Sequence, residues 1–224
     1  MKYSIHRLLA LKKTTYSRIL ELLREAKFIS AYKGLQDNVN GVPVTKIEEE
    51  IKANYQKLND LISNYKKIKI ALLNSNAGAP DQASLKKVTV CGNDYTMSEL
   101  IFLSDEVYGN TKHPGAIYQQ VIKTFNSQYV NIINRIENQY QQVENKIQNY
   151  LNQLGGDGKA QSVKDIEDRS ALFHRDGDLH MIDPINLKDV IEKFRKELGD
   201  FVLEADASIS ENNAMTFVDI DLTE

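Results

Sequence analysis

The sequence predicts an α+β protein that is mostly helical: an elongated antiparallel helical bundle or coiled coil, with a small β-sheet of hairpins plus a C-terminal strand near one end. Three observations predict it. Four long segments carry apolar residues in steps of three and four, the pattern of helices packed along a seam. Short stretches between them alternate apolar and polar residues, the period of a half-buried strand. Only 4 Pro and 11 Gly occur in 224 residues, which excludes collagen-like, elastomeric and loop-dominated folds.

The first helix has the seam Ile5, Leu9, Tyr16, Ile19, Leu23 and Ala26, with Lys12 at the remaining position. A second helix is expected from Lys46 to Asn74 on Ile47, Ile51, Leu58, Leu61, Tyr65, Ile68 and Leu72, with Asn54 as the polar exception. Thr45 followed three residues later by Glu48 forms a capping box that marks its start. The third and longest helix covers 115–154, with Ile122, Phe125, Tyr129, Ile132, Ile136, Tyr140, Val143, Ile147, Tyr150 and Leu154 on one seam. One extra residue in its middle relaxes the supercoil without ending the helix, and its expected length is about 60 Å. The last helix, 183–210, starts near Asp183-Pro184 or Asn186 and is stitched by Leu187, Ile191, Phe194, Leu198, Phe201 and Ala205.

Two hairpin inserts separate these helices, at 28–45 and 88–97. In the first, KFISAYKG and GVPVT flank the turn-forming residues 36–41, and Pro43 assigns its strand to a sheet edge because it lacks a ladder donor. In the second, Val88, Val90 and Tyr95 flank a turn at Cys91-Gly92-Asn93-Asp94, and Ser98-Glu99 then opens a helix. Residues 215–222 read as a C-terminal strand in which Val218, Ile220 and Leu222 alternate with Asp219 and Asp221. Residues 155–182 show little periodicity and are expected to form an irregular loop that serves as a return path or a contact with another chain. The whole of 1–224 is expected to be a single elongated domain.

Charge is polarised along the chain. Residues 1–90 carry +8, residues 91–155 carry −2 and residues 156–224 carry −9, which together give the net −3. A basic surface for nucleic acid is one reading; mutual neutralisation within the chain or between copies is the other, favoured because nucleic-acid binders show a net basic domain. No apolar run reaches the roughly 18 residues of a membrane span, and the N-terminal sequence lacks a secretory core, so no membrane association is expected. A single Cys excludes a disulfide framework and any multi-cysteine metal site.

The search for chemistry returns little. Gly155-Gly156-Asp157-Gly158-Lys159-Ala160 lacks the spacing and the Ser/Thr of a phosphate loop and follows a helix instead of a strand. His174, Asp176, Asp178 and His180 bring two imidazoles and two carboxylates into seven residues, the best candidate set for a divalent metal. Against it, the histidines are widely spaced and sit in an expected loop, so an Asp-Gly turn with exposed polar residues accounts for the pattern. Cys91 has no paired His or Cys near it, and Glu48-Glu49-Glu50 is explained by the positive end of a helix. No metal, no cofactor, no small-molecule substrate and no enzymatic activity are therefore expected.

The long helix has an unusual polar side. Between Ile117 and Leu154 lie 15 Asn and Gln residues but only 5 charged ones. An uncharged amide face costs less to desolvate than a charged one, which suits contact with another subunit. An AT-rich genome, which favours Asn, Lys, Ile and Tyr codons, explains the same bias.

Residues 72–77 (Leu-Leu-Asn-Ser-Asn-Ala), 88–101 (Val-Thr-Val-Cys-Gly-Asn-Asp-Tyr-Thr-Met-Ser-Glu-Leu-Ile) and 210–220 (Ser-Glu-Asn-Asn-Ala-Met-Thr-Phe-Val-Asp-Ile) form a pattern that resembles coiled-coil virion structural proteins of tailed bacteriophages. There, a helix ends at Ser-Asn-Ala, a strand–Gly–strand hairpin launches a long helix, and the chain closes with a second Asn-Ala and a strand. The sequence departs from that pattern in the insertion at 78–84 and in 109–115, which interrupts the helix. The resemblance implies a repeated structural part of a virion, assembled in the host cytoplasm, that contacts copies of itself and other virion proteins. The edge and strand residues Pro43, Val88, Val90, Tyr95, Val218, Ile220 and Leu222 are the expected interaction positions. A cytoplasmic coiled-coil adaptor or assembly chaperone, and nucleic-acid binding through the basic N-terminal part, are the alternatives.

Overall fold

The structure is a computed structural model that describes residues 3–36, 38–76, 87–109, 113–156 and 163–215. It is mostly helical, with six α-helices and small antiparallel sheets among the described residues. The order is α1 (Ile5–Glu25), β1 (Ser30–Lys33), β2 (Asn38–Val39), β3 (Val42–Pro43), α2 (Val44–Asn76), β4 (Lys87–Val90), β5 (Asn93–Thr96), α3 (Met97–Phe102), a π-helical turn (Leu103–Tyr108), α4 (Ile117–Gly156), α5 (Val163–Gly177), β6 (Leu179–Ile182) and α6 (Leu187–Met215). None of these helices is long and apolar enough to cross a membrane. The chain divides into two compact units where a single domain was expected.

The first unit comprises Met1–Glu25, Leu58–Thr124 and Ile191–Glu224. Its core is built on the expected seams: Ile19 and Leu23 of α1, Leu58, Tyr65 and Leu72 of α2, and Ile191, Phe194, Phe201 and Ala205 of α6 are all buried. The N-terminal part of the α1 seam is not, since Ile5 is 48% and Leu9 52% exposed. The hairpin β4–β5 joins this core through Val90, which is fully buried, and Tyr95, whose ring lies edge-on to Phe201 at 6.3 Å. Its turn is tighter than expected. Cys91 and Gly92 alone form it, both with positive φ (48° and 75°), so Asn93 and Asp94 belong to the strand. Two consecutive positive φ values give the turn whose twist matches the flanking strands.

A capping box occurs here as well. Thr96 Oγ1 accepts from the Glu99 backbone N–H, and Glu99 Oε2 accepts from the Thr96 N–H. Thr45 lies inside α2, which begins one residue earlier than the expected cap.

The second unit comprises Ala26–Lys57 and Phe125–Val190. Phe28 and Phe125 are fully buried with ring centroids 4.6 Å apart, and Ile51, Ile132, Val143, Ile147 and Ile182 are buried as well. Here the strand pairing differs from expectation. β1 pairs antiparallel with β6, Ser30 opposite Ile182 and Lys33 opposite Leu179, while the hairpin over 28–45 shrinks to β2–β3 with Asn38 opposite Pro43. Sequence proximity favoured a local hairpin, but the buried Ser30 and Ala31 needed a partner that could cover them. Among the described residues the three two-stranded sheets are separate, so no common sheet there gathers the hairpins.

Residues 155–182 are also corrected. They contain α5 and β6 where a loop was expected. The apolar stripe of α5 is narrow, which hid its period, but Asp165 in its first turn and His174 and Arg175 in its last complement the helix dipole. Phe173 packs against Tyr150 of α4 at 5.9 Å. The C-terminal helix runs to Met215, five residues past its expected end, and the remainder of the expected strand, with Val218, Ile220 and Leu222, lies outside the described residues.

Candidate functional site

The densest polar chemistry in the first unit gathers around the π-helical turn. α3 runs into Leu103–Tyr108 with the wider π winding, and Gly109 ends it, its N–H donating to the Ser104 carbonyl at 2.9 Å. Such turns add a residue to a helix and redirect its side chains. Here the result is that Glu106 meets three donors. Lys69 Nζ lies 3.0 Å from its Oε1, Lys12 Nζ 3.2 Å from its Oε2, and the Tyr65 hydroxyl donates to Oε2. Burial alone raises the Glu106 pKa, but the hydrogen bonds from Tyr65, Lys69 and Lys12 outweigh it and hold the carboxyl below its usual range. Burial and the neighbouring Lys69 lower Lys12, and burial with the Glu106 carboxylate raises the Tyr65 hydroxyl.

A second polar group sits beside it. Lys66 Nζ lies 4.6 Å from the Tyr108 ring centroid and 5.0 Å from that of Tyr118, and it donates to the Tyr108 hydroxyl at 3.2 Å. Tyr108 stacks on Phe201 at 3.9 Å, and the Tyr118 hydroxyl donates to Glu197 Oε2 at 3.1 Å. Burial lowers the Lys66 pKa to about 8 against the pull of Glu197, and burial pushes Tyr108 up to about 12. The rings replace part of the water that the ammonium has lost.

These shifts set the alkaline behaviour. An unfolded lysine titrates near 10.5, so between about pH 8 and 10.5 the unfolded chain holds a proton that folded Lys66 has released. Stability therefore rises across that window, by about 1 kcal/mol after allowance for solvent screening. Above pH 10 the sign reverses, because unfolded tyrosines ionise while folded Tyr65, Tyr108 and Tyr118 keep their protons. Urea unfolding at pH 7.5, 9.5 and 11.5 should show a maximum at the middle value. Lys66→Met should shrink the rise, to which Lys12 also contributes, and leave the fall; for the unmodified chain a steady fall would contradict the lysine assignment and a steady rise the tyrosine assignment.

Beside the Glu106 cluster an open groove of about 860 Å³ runs along α1. Leu9, Lys13, Tyr16 and Leu20 form one side, and Tyr65, Pro114, Ala116 and the Asp105–His113 pair (3.2 Å) form the other. Leu9 is exposed, and Tyr16 and Leu20 are half-buried. The cluster ties Glu106 to its three donors and forms a rigid wall. The groove is lined by apolar and mixed-charge side chains, a surface suited to another polypeptide.

The positions singled out in the sequence scatter. His174 lies between Glu144 (Nε2 to Oε1, 3.0 Å) and Asp178 (Nδ1 to Oδ2, 3.1 Å), with its ring stacked on Tyr140. Asp176 is held by Arg175 at 2.9 Å, and His180, on β6, packs against Tyr32. The structure thus brings His174 and Asp178 together but not Asp176 or His180, and among the described residues no group of three or more His, Cys, Asp or Glu is placed to hold a metal. Of the interaction positions, Pro43 is exposed, Val88 and Tyr95 are half-buried and Val90 is in the core. Cys91 is exposed; burial and the nearby Glu204 and Asp200 raise its thiol, and its N–H donates to Glu204 at 2.6 Å. Glu106 and Glu144 were missed because their partners lie dozens of residues away in sequence.

Three amides of α4 bind the chain's own backbone, and the first, Gln120, donates to the Gly115 carbonyl. Gln128 accepts from the Phe28 N–H at 2.9 Å and donates to the Ala26 carbonyl at 2.9 Å, and Gln139 donates to the Gly177 carbonyl at 2.9 Å. Others face outward: Asn131, Asn134, Asn138, Gln141, Asn145 and Gln148 are exposed, together with Val130 (51%) and Tyr140 (46%).

No family model, no curated protein and no solved structure matches this chain.

Proposed function

We propose that this chain is a non-enzymatic structural component of a bacteriophage virion, capsid- or tail-associated, that acts by self-association and by contacts with major virion proteins. The observation that carries the reading is the outward face of α4, a forty-residue helix. It offers exposed amides and the apolar Val130 and Tyr140 where a solvated helix would offer Lys and Glu. Such a face gives up water at little cost, and a partner that covers it has the exposed Arg135, Glu137 and Lys146 to pair or avoid. The likeness of residues 72–77, 88–101 and 210–220 to coiled-coil virion proteins supports the same assignment, and an elongated antiparallel bundle is part of the proposal. The mechanism is geometric: rigid helices set a spacing, and exposed faces make the joins.

The test is mass spectrometry of purified particles, combined with light scattering of the recombinant chain. The expected result is a stoichiometric particle protein that associates in solution. A stable monomer absent from the particles overturns the proposal. Association in solution without incorporation would instead identify an assembly chaperone.

A further inference from the structure

Two helix faces of the first unit are left uncovered by the described residues, and they complement each other. One is the α1 side of the groove, where Leu9, Lys13, Tyr16 and Leu20 follow steps of four, three and four. The other is the back of α6. Phe201 and Ala205 point into the core, at 2% and 0% exposure, while Leu203 is 76% exposed. Ala207, Ser210 and Ala214 continue from Leu203 in the same four-three-four steps and are exposed as well. An exposed leucine on a seam of small residues leaves room for large side chains from a second helix.

Charge adds direction. From 197 to 215, α6 carries Glu197, Asp200, Glu204, Asp206 and Glu211 and no Lys or Arg. α1 carries Arg7, Lys12, Lys13, Arg18 and Arg24 against Glu21 and Glu25, the last paired with Arg24 at 2.9 Å. Laid antiparallel, the two seams pair Leu20 with Leu203, Tyr16 with Ala207, Lys13 with Ser210 and Leu9 with Ala214. The same register sets Lys13 beside Glu211 and Arg24 beside Asp200. The parallel register that matches those charges, with Lys13 beside Asp200, instead puts Leu9 against Lys196.

We infer that α6 of one copy of this chain lies antiparallel in the α1 groove of a second copy. This rests on the proposed self-associating role and names its surface. The contact joins two different patches, so each copy has one of each free to continue. Association then closes into a ring or grows as a filament and does not stop at a two-fold dimer.

Sedimentation velocity and light scattering of the full chain at low and moderate salt test this. The unmodified chain should associate with rising concentration, and less so in salt. Leu203→Glu should weaken association at least tenfold. The pairs Lys13→Glu/Arg24→Glu and Asp200→Lys/Glu211→Lys should each weaken it about tenfold, as the loss of two exposed ion pairs predicts. An equimolar mixture of the two paired variants should associate again, because each supplies the surface that the other lacks. All of these positions are exposed, so thermal melts of the variants should match the parent.

Association that ignores every variant, or a mixture no stronger than its components, overturns the inference. Variants that lower the melting temperature of a monomer overturn it too, by showing that the groove is filled from within the chain. If particles contain the protein while these variants still associate, the structural role stands and this surface fails. If the variants behave as expected but the protein is absent from particles, the surface stands and the virion role fails.

Discussion

Phe125→Ala is expected to lower the unfolding free energy by about 3–5 kcal/mol, the cost of emptying a fully enclosed aromatic site. Phe125 has no exposed surface, and its ring lies 4.6 Å from that of Phe28, which is equally enclosed. Neither ring can be replaced by water, so the void must be filled by local collapse. Collapse is hindered because the backbone leading into Phe28 is held by Gln128, through the Ala26 carbonyl and the Phe28 N–H. Phe125→Leu keeps most of the volume and should cost less than half as much. Urea unfolding decides this by a shift in midpoint at unchanged slope. A loss under about 1 kcal/mol for the alanine variant would mean that this pair of rings is not the core of its unit.

Gly109→Ala should cost about 3 kcal/mol, for two separable reasons. The residue has φ 78° and ψ 154°, a region that only glycine occupies without strain. An added Cβ would also sit 2.5 Å from the Ala116 Cβ and 2.7 Å from the His113 carbonyl oxygen. Something must move, and what moves is the 113–116 wall of the α1 groove. Gly92→Ala separates the two terms. Its φ is 75°, but nothing lies within 4 Å of the new Cβ, so only the backbone cost of about 1 kcal/mol applies. Thermal melts of both variants should show the larger drop for Gly109→Ala. Equal drops would assign the whole effect to the backbone and leave the crowding without energetic weight.

The helices were legible because burial imposes its own period. Ile51, Leu58, Tyr65 and Leu72 stand at heptad spacing in the sequence and are all buried; in α4 Phe125 and Ile132, then Val143 and Ile147 after an eleven-residue step, are buried along one side. Where a seam is not covered, the same pattern misleads, as Ile5, Leu9 and Tyr140 do, because spacing records which side is apolar and not what lies on it. α5 failed to announce itself because its apolar stripe is narrow, and its few contacts to α4 include ring contacts through His174. The metal candidates, close in sequence, are spread over three successive elements. His174 and Asp178 meet where the helix ends and the chain turns, while Asp176 pairs with Arg175 and the strand sends His180 to Tyr32.

The Glu106 cluster marks the limit most clearly. Lys12, Tyr65 and Lys69 lie 94, 41 and 37 residues from Glu106, and each is an ordinary member of its own helix. Read along the chain, Lys12 is a blemish on a seam and Tyr65 a seam residue; only folding makes them partners of one carboxylate.

Periodicity and turn chemistry were enough to specify the four long helices α1, α2, α4 and α6 and a hairpin turning at Cys91-Gly92, because those choices depend on residues within one or two turns of each other. Tertiary packing decided the rest. It matched β1 with β6, drew three distant donors to Glu106, and left the faces of Leu9 and Leu203 open. Those outcomes depend on which apolar surfaces and buried polar groups find cover in three dimensions, and local spacing carries no record of that competition.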